Sequence, residues 1–182
     1  MGAGKSTAAR LLAHDASTVI DADHEAKSLM QESLRIRNHL VEAFGAEVIE
    51  RGEIRFDFLG QAAFSSEATL LRLNTIVHPS LVKILEERIS ESNNRPVILD
   101  AALLPLWHLE SLFDVCLWVH APFKTRFRRI LSCRPGLDAA AAKDRMRLQE
   151  RMFPAPTEVS SWIYLDNSKN MAHLAAALAI FR

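Results

Sequence analysis

The chain has 182 residues, enough for one α/β domain with room for a small helical insertion. Its 22 basic and 22 acidic residues cancel, so no broad cationic face for nucleic acid or an anionic membrane is expected. Hydrophobic residues make up 49% and charged residues 24%; no apolar run has the length of a membrane span, and the expectation is a cytoplasmic protein with no membrane partner.

Met1-Gly2-Ala3-Gly4-Lys5-Ser6-Thr7 reads as the back half of a phosphate-binding loop, G-x-x-x-x-G-K-[ST]. In such a loop successive backbone N–H groups surround the phosphates, and glycines keep side chains out of the way. The lysine reaches the β/γ oxygens and the next hydroxyl ligates Mg²⁺. Those roles fall to Gly4, Lys5 and Ser6, with Thr7 beginning a helix whose dipole favours an anion. Gly2, Ala3, Gly4, Lys5, Ser6 and Thr7 are therefore the candidate nucleotide-binding residues. The leading glycine of the motif falls two positions before Met1, and an apolar strand is expected ahead of it. The loop implies an ATP- or GTP-using enzyme.

Ser17 to Asp23 is a β-branched run ending in carboxylates, expected to be a buried strand, followed by a helix over His24 to Gln31. From Leu34 to Ser90 the apolar spacing is helical, punctuated at Gly45, Gly52 and the His78-Pro79 step. A strand is expected at Arg95 to Asp100 and another at Val115 to Val119. Helices follow over Phe123 to Ser132 and Asp138 to Arg151, separated by Arg134-Pro135-Gly136-Leu137. Ser161 to Asn167 is the last expected strand, and Met171 to Phe181 a closing amphipathic helix. Cys116 and Cys133 lie in no C-x-x-C or His/Cys ligand spacing, which speaks against a zinc site or a disulfide framework.

Several residues carry two readings. Asp23 is either an acid–base group near a transferred phosphoryl or the cap of a helix starting at His24. Asp100 ends an apolar strand as a metal-holding acid does, or as a turn residue. Asp166-Asn167 presents an amide to a base edge or simply turns the chain. His78 is either a ligand contact or a structural, helix-capping histidine. Arg126, Arg128, Arg129, Arg134, Arg145, Arg147 and Arg151 form a basic cluster suited to phosphate or to solvent.

In chain order, G-x-G-K-S-T at 2–7, V-I-D-A-D at 19–23, F-G at 44–45, H-P at 78–79, V-I-L-D-A-A-L-L at 97–104, R-P-G at 134–136, Gln149 and D-N at 166–167 resemble the dephospho-coenzyme A kinase family. The resemblance implies ATP-dependent phosphorylation of the ribose 3′-hydroxyl of dephospho-coenzyme A, with Mg²⁺. It implies an α/β fold with a P-loop NTPase-type parallel sheet of five strands, the first absent here, flanked by helices. The nucleotide-binding core is expected at 1–33 and 91–182, with a lid at about 124–155 and a helical acceptor-binding insertion at 34–90. By resemblance Asp23, Lys5 and Arg134 are catalytic, Asn167 joins the loop in holding the nucleotide, and Asp23, His78 and Leu103 meet the acceptor. Ser6 and Asp100 would hold the metal. A small-molecule substrate, no nucleic acid and a monomer or weak homo-oligomer complete the expectation. The family pattern departs at Ala102, where a proline is expected, and at Phe56, where an arginine is expected beside Arg55. The competing readings are another small-molecule P-loop kinase and a truncated, non-catalytic nucleotide-binding protein.

Overall fold

Gly4 turns the chain into its first helix, α1 (Lys5–Leu12), by adopting φ 98° and ψ 20°, a left-handed conformation open to glycine at little cost. The helix starts at Lys5, before Thr7, because Gly4 already ends the loop. The computed structural model describes residues 1–92, 95–134, 136–156 and 162–181. Pro135 of the R-P-G element and Ser161 of the last expected strand lie outside the described residues. The chain divides into two units, Met1–Val19 with Arg95–Arg182, and Ile20–Asn94.

Strand β1 (Thr18–Asp21) stops earlier than the sequence pattern suggests, because Asp21 caps the following helix, α2 (Ala22–Glu32). Its Oδ1 accepts from the N–H groups of Asp23 at 2.9 Å and His24 at 3.1 Å. Ser33 likewise caps α3 (Leu34–Phe44), and Gly45 ends it at φ 93°. Strands β2 (Ile49–Glu50) and β3 (Glu53–Ile54) then form a hairpin, pairing Ile49 with Ile54 and Glu50 with Glu53. Arg51 and Gly52 both have positive φ, 51° and 84°, as a type I′ turn requires. This hairpin stands at Gly52, where the sequence suggests only a break between helices. It is anchored by Arg37, which donates to the Gly52 carbonyl at 2.7 Å, and by Gln31, which accepts from the Ile54 N–H at 2.9 Å.

Helices α4 (Phe56–Ala63) and α5 (Glu67–Ser90) complete the unit, α5 opening on a Ser66–Thr69 capping box. The 24-residue α5 runs straight through His78-Pro79, so that step does not end a helix. Proline in a helix interior costs about 3 kcal/mol. The buried Leu70, Val77, Leu81 and Leu85 of α5 each contribute roughly 1.5–3 kcal/mol of burial and outweigh it.

In the other unit, β4 (Val97–Asp100) follows, with the Thr18 N–H donating to the Pro96 carbonyl at 2.8 Å. A short α6 (Leu104–Trp107) has Pro105 in its first turn, where no N–H is needed. Strand β5 (Leu117–His120) pairs in parallel with β6 (Ile163–Asp166), in register from Leu117–Ile163 to His120–Asp166. Between them come α7 (Phe123–Cys133) and α8 (Ala139–Met152), and after them α9 (Met171–Leu178) with a 3₁₀ turn over Ala179–Phe181. Ala8, Leu165, Leu174 and Leu178 form one core joining α1, β6 and α9; Ile130, Ala142 and Met146 form another between α7 and α8.

Apart from the hairpin, the strands occur as two pairs, β1 with β4 and β5 with β6. Among the described residues no strand joins the pairs, and the parallel β5–β6 pair with helices around it is of the expected α/β class. None of the helices searched among the described residues is long and apolar enough to cross a membrane.

Candidate active site

The loop and the end of β4 meet through charge. Lys5, on the first turn of α1, forms an ion pair with Asp100 Oδ1 at the C-terminal end of β4. Asp100 is the one buried charged residue among those described, 4% exposed, and a buried carboxylate needs such a partner. Its position is therefore more than a strand-end turn: it lies against the lysine of the loop. Ser6 is exposed beside it on the same turn.

The oxygen donors in place suit Mg²⁺, a hard ion that takes carboxylate and hydroxyl oxygen and keeps several ligands from water or phosphate. Ser6 and Asp100 supply one of each. No cluster of three or more His, Cys, Asp or Glu side chains able to hold a metal occurs among the described residues. A metal here would thus be completed by phosphate oxygens, as in P-loop enzymes.

The loop's glycines are fixed by what surrounds them. Gly2 has φ 69°, and a Cβ there would lie 2.7 Å from the Arg126 carbonyl of α7. At Gly4 a Cβ would collide with Asn167 Nδ2. Asn167, 6% exposed, donates that amide to the Ala3 carbonyl at 2.7 Å. Its side chain, which the sequence offers either to a base edge or to a turn, donates to the phosphate loop. Asp166 before it accepts from the Ser168 hydroxyl and backbone N–H, which hold its carboxyl below the usual range.

The arginines separate into two kinds. Arg126 donates to the carbonyls of Ala121 at 2.9 Å and Met1 at 3.3 Å and pairs with Glu150 of α8. Arg129 donates to the carbonyls of Asn167 at 2.9 Å and Lys169 at 3.4 Å. Both are committed to holding backbone. Arg134, exposed at the end of α7, lies close enough to Arg145 of α8 to be felt. Burial first, and the Arg134 charge second, push the Arg145 guanidinium down from its ordinary value. Two guanidinium groups brought this close suit a bound anion.

Of the residues expected at the acceptor, Asp23 and His78 lie in the Ile20–Asn94 unit. Asp23 is exposed on the first turn of α2, and Asp21 is the cap, which corrects the reading of Asp23 as that cap. Among the described residues the Asp23 carboxylate has no hydrogen-bonding or ionic partner. His78 lies inside α5, far from either end, so it does not cap α5 itself; burial lowers its pKa. Arg55, beside Phe56, is tied to Glu50 at 3.7 Å and lies over the Phe58 ring. Leu103, in the other unit, is the residue preceding α6.

A family model described as dephospho-CoA kinase matches residues 1–172. The chain belongs to the dephospho-CoA kinase family. Among relatives of that name, one from Bacillus licheniformis is 31% identical over 182 residues, spanning 98% of this chain and 89% of its own. Another dephospho-CoA kinase, from Deinococcus radiodurans, is 35% identical, spanning 98% of this chain and 85% of its own. The solved structure of TT1252 from Thermus thermophilus superposes with a TM-score of 0.71 at 28% identity, covering 100% of this chain and 91% of that one. A dephospho-CoA kinase structure from Campylobacter jejuni, at 21% identity and a TM-score of 0.63, shares the fold and covers 100% of this chain and 90% of that one. The Arg126 and Arg129 backbone contacts had no signature in the sequence beyond a basic helix.

Proposed function

We propose that this protein transfers the γ-phosphoryl group of ATP to the ribose 3′-hydroxyl of dephospho-coenzyme A, giving coenzyme A and ADP. The observation that carries the reading is the juxtaposition of the loop lysine, Lys5, with the buried Asp100, within a chain matched almost end to end by the family model.

Phosphoryl transfer is mainly positioning and charge neutralisation. Residues Gly2 to Thr7 hold the phosphates through backbone N–H groups, and Lys5 moves from Asp100 to the phosphate oxygens as the nucleotide enters. Ser6 and Asp100 would hold Mg²⁺, which when bound would offset charge on the phosphates. Arg134, with Arg145 beside it, donates to the transferring group, where a guanidinium is worth more than in water. Asp23 orients the acceptor hydroxyl and accepts its proton; a carboxylate not engaged in capping is available for that task. His78 and Leu103 contact the acceptor. Reduced thiols, a cytoplasmic setting and a monomer or weak homo-oligomer belong to the same reading.

The test offers the protein Mg·ATP with dephospho-coenzyme A, adenosine, AMP or shikimate, and follows ADP release. Release only with the first, and strongly reduced without Mg²⁺, is expected. Comparable turnover with another acceptor would replace the acceptor assignment and leave the phosphate loop in place.

A further inference from the structure

The residue following the last strand is bound on every side by the nucleotide end of the unit. The Asn167 backbone N–H donates to the His120 carbonyl at 2.7 Å, the last rung beyond the β5–β6 ladder. Its carbonyl accepts from Arg129 at 2.9 Å, and the same guanidinium reaches the Lys169 carbonyl at 3.4 Å. Its side-chain amide donates to the Ala3 carbonyl at 2.7 Å, across 164 positions of sequence. The residue is 6% exposed, and the neighbouring Gly4 has no room for a Cβ because Asn167 Nδ2 occupies that space.

A planar trans peptide points its carbonyl and the following N–H to opposite sides. Fixing the Ala3 carbonyl toward Asn167 therefore turns the Gly4 N–H directly away from it. The Gly4 carbonyl is already committed to the Ala8 N–H at 2.9 Å, so both faces of this loop residue are set. We infer that Asn167 is a positioning residue for the phosphate loop: its amide aims the Gly4 N–H at the nucleotide's phosphates, and Arg129 holds the turn that carries it. The inference rests on the proposed use of this loop for ATP, and it assigns the Asn167 side chain to the phosphate end of the nucleotide, away from the base.

The distinction is measurable with a ligand that has no base. Binding of ATP, GTP and inorganic tripolyphosphate is titrated calorimetrically against the wild type and Asn167→Asp, which replaces the donor by an acceptor of the same size. All three are expected to weaken by the same factor, about ten- to a hundredfold for a misaligned hydrogen bond to a charged group. Dephospho-coenzyme A binding should not change, and in turnover the KM for ATP should rise more than kcat falls. Loss for ATP with tripolyphosphate unaffected would assign the side chain to the base and overturn the inference. Unchanged binding of all three, with only a lower Tm, would reduce Asn167 to a fold contact and overturn it equally. Should Asn167→Asp not fold, Arg129→Lys carries the test: it leaves the amide in place while loosening its turn, and wild-type binding of all three probes would again overturn the inference. Because the ATP, GTP and tripolyphosphate titrations use no acceptor, a wild-type protein that fails to phosphorylate dephospho-coenzyme A would refute the proposed function without touching their result.

Discussion

Lys5 and Asp100 form an ion pair in which the carboxylate side chain is 5% exposed and the lysine side chain 31% exposed. The two partners are unequal, and their loss should be unequal too. Lys5→Ala leaves a buried carboxylate without a counter-charge. Breaking a buried pair costs roughly 3–5 kcal/mol, and the partial exposure of Lys5 puts this one at the low end or below. Lys5→Ala/Asp100→Ala, which removes both charges, is expected to be more stable in urea than Lys5→Ala alone, while both variants lack turnover. Equal midpoints for the two would show that the pair does not stabilise the fold.

Asp21 and Asp23, two residues apart, should separate stability from catalysis. Asp21→Ala removes the α2 cap and should lower stability by about 0.5–2 kcal/mol. Asp23→Asn should leave the Tm within a degree or so of wild type and ATP affinity unchanged. Its kcat is expected to fall by roughly two to four orders of magnitude, the range of a positioned acid–base group. A near-normal kcat for Asp23→Asn would remove Asp23 from the proposed mechanism.

His78 gives the fold a pH dependence with a definite sign. Burial lowers its pKa from 6.5, so the unfolded chain takes up a proton at a higher pH than the folded one. Its contribution to stability is thus complete above about pH 6.5 and is lost as pH falls from there toward the depressed folded value. Thermal melts of wild type and His78→Gln between pH 7.5 and 5 should converge or cross on acidification, with wild type losing more. Parallel curves would show that His78 does not titrate differently on unfolding.

Gly4 and Gly52 both have positive φ, 98° and 84°, yet their substitution should have different consequences. Gly52→Ala meets open space and should cost only the left-handed strain of about 1–2 kcal/mol. Gly4→Ala adds a collision with Asn167 to that strain and should abolish ATP binding. Measuring both Tm and ATP affinity for the two variants checks this; retained ATP affinity in Gly4→Ala would mean the loop tolerates displacement from Asn167.

Periodicity located the helices well, because burying one face of a helix leaves a 3.6-residue trace in the chain. It failed at two places for local reasons. The Glu50-Arg51-Gly52-Glu53 turn was read as a break between helices, since its strands are only two residues each and too short to show alternation. His78-Pro79 was read as a stop, but the apolar face of α5 continues past it and its burial outweighs the lost hydrogen bond. The alternative reading of Asp23 as the cap of α2 falls two residues late, because both Asp21 and Asp23 have the right side chain and only backbone geometry distinguishes them.

The loop, the family, most of the helices and the strands other than the hairpin are legible in the residues, because glycines, a Lys-Ser-Thr run and apolar spacing are local properties. What faces what is settled only on folding. Folding brought Asp100 onto Lys5 across 95 positions and Asn167 onto Ala3 across 164. It also divided a uniform arginine cluster into those that hold backbone carbonyls, Arg126 and Arg129, and the neighbouring pair Arg134 and Arg145. A side chain's identity states which partners it can take; only the folded chain brings one of them within about 3 Å, the reach of a hydrogen bond.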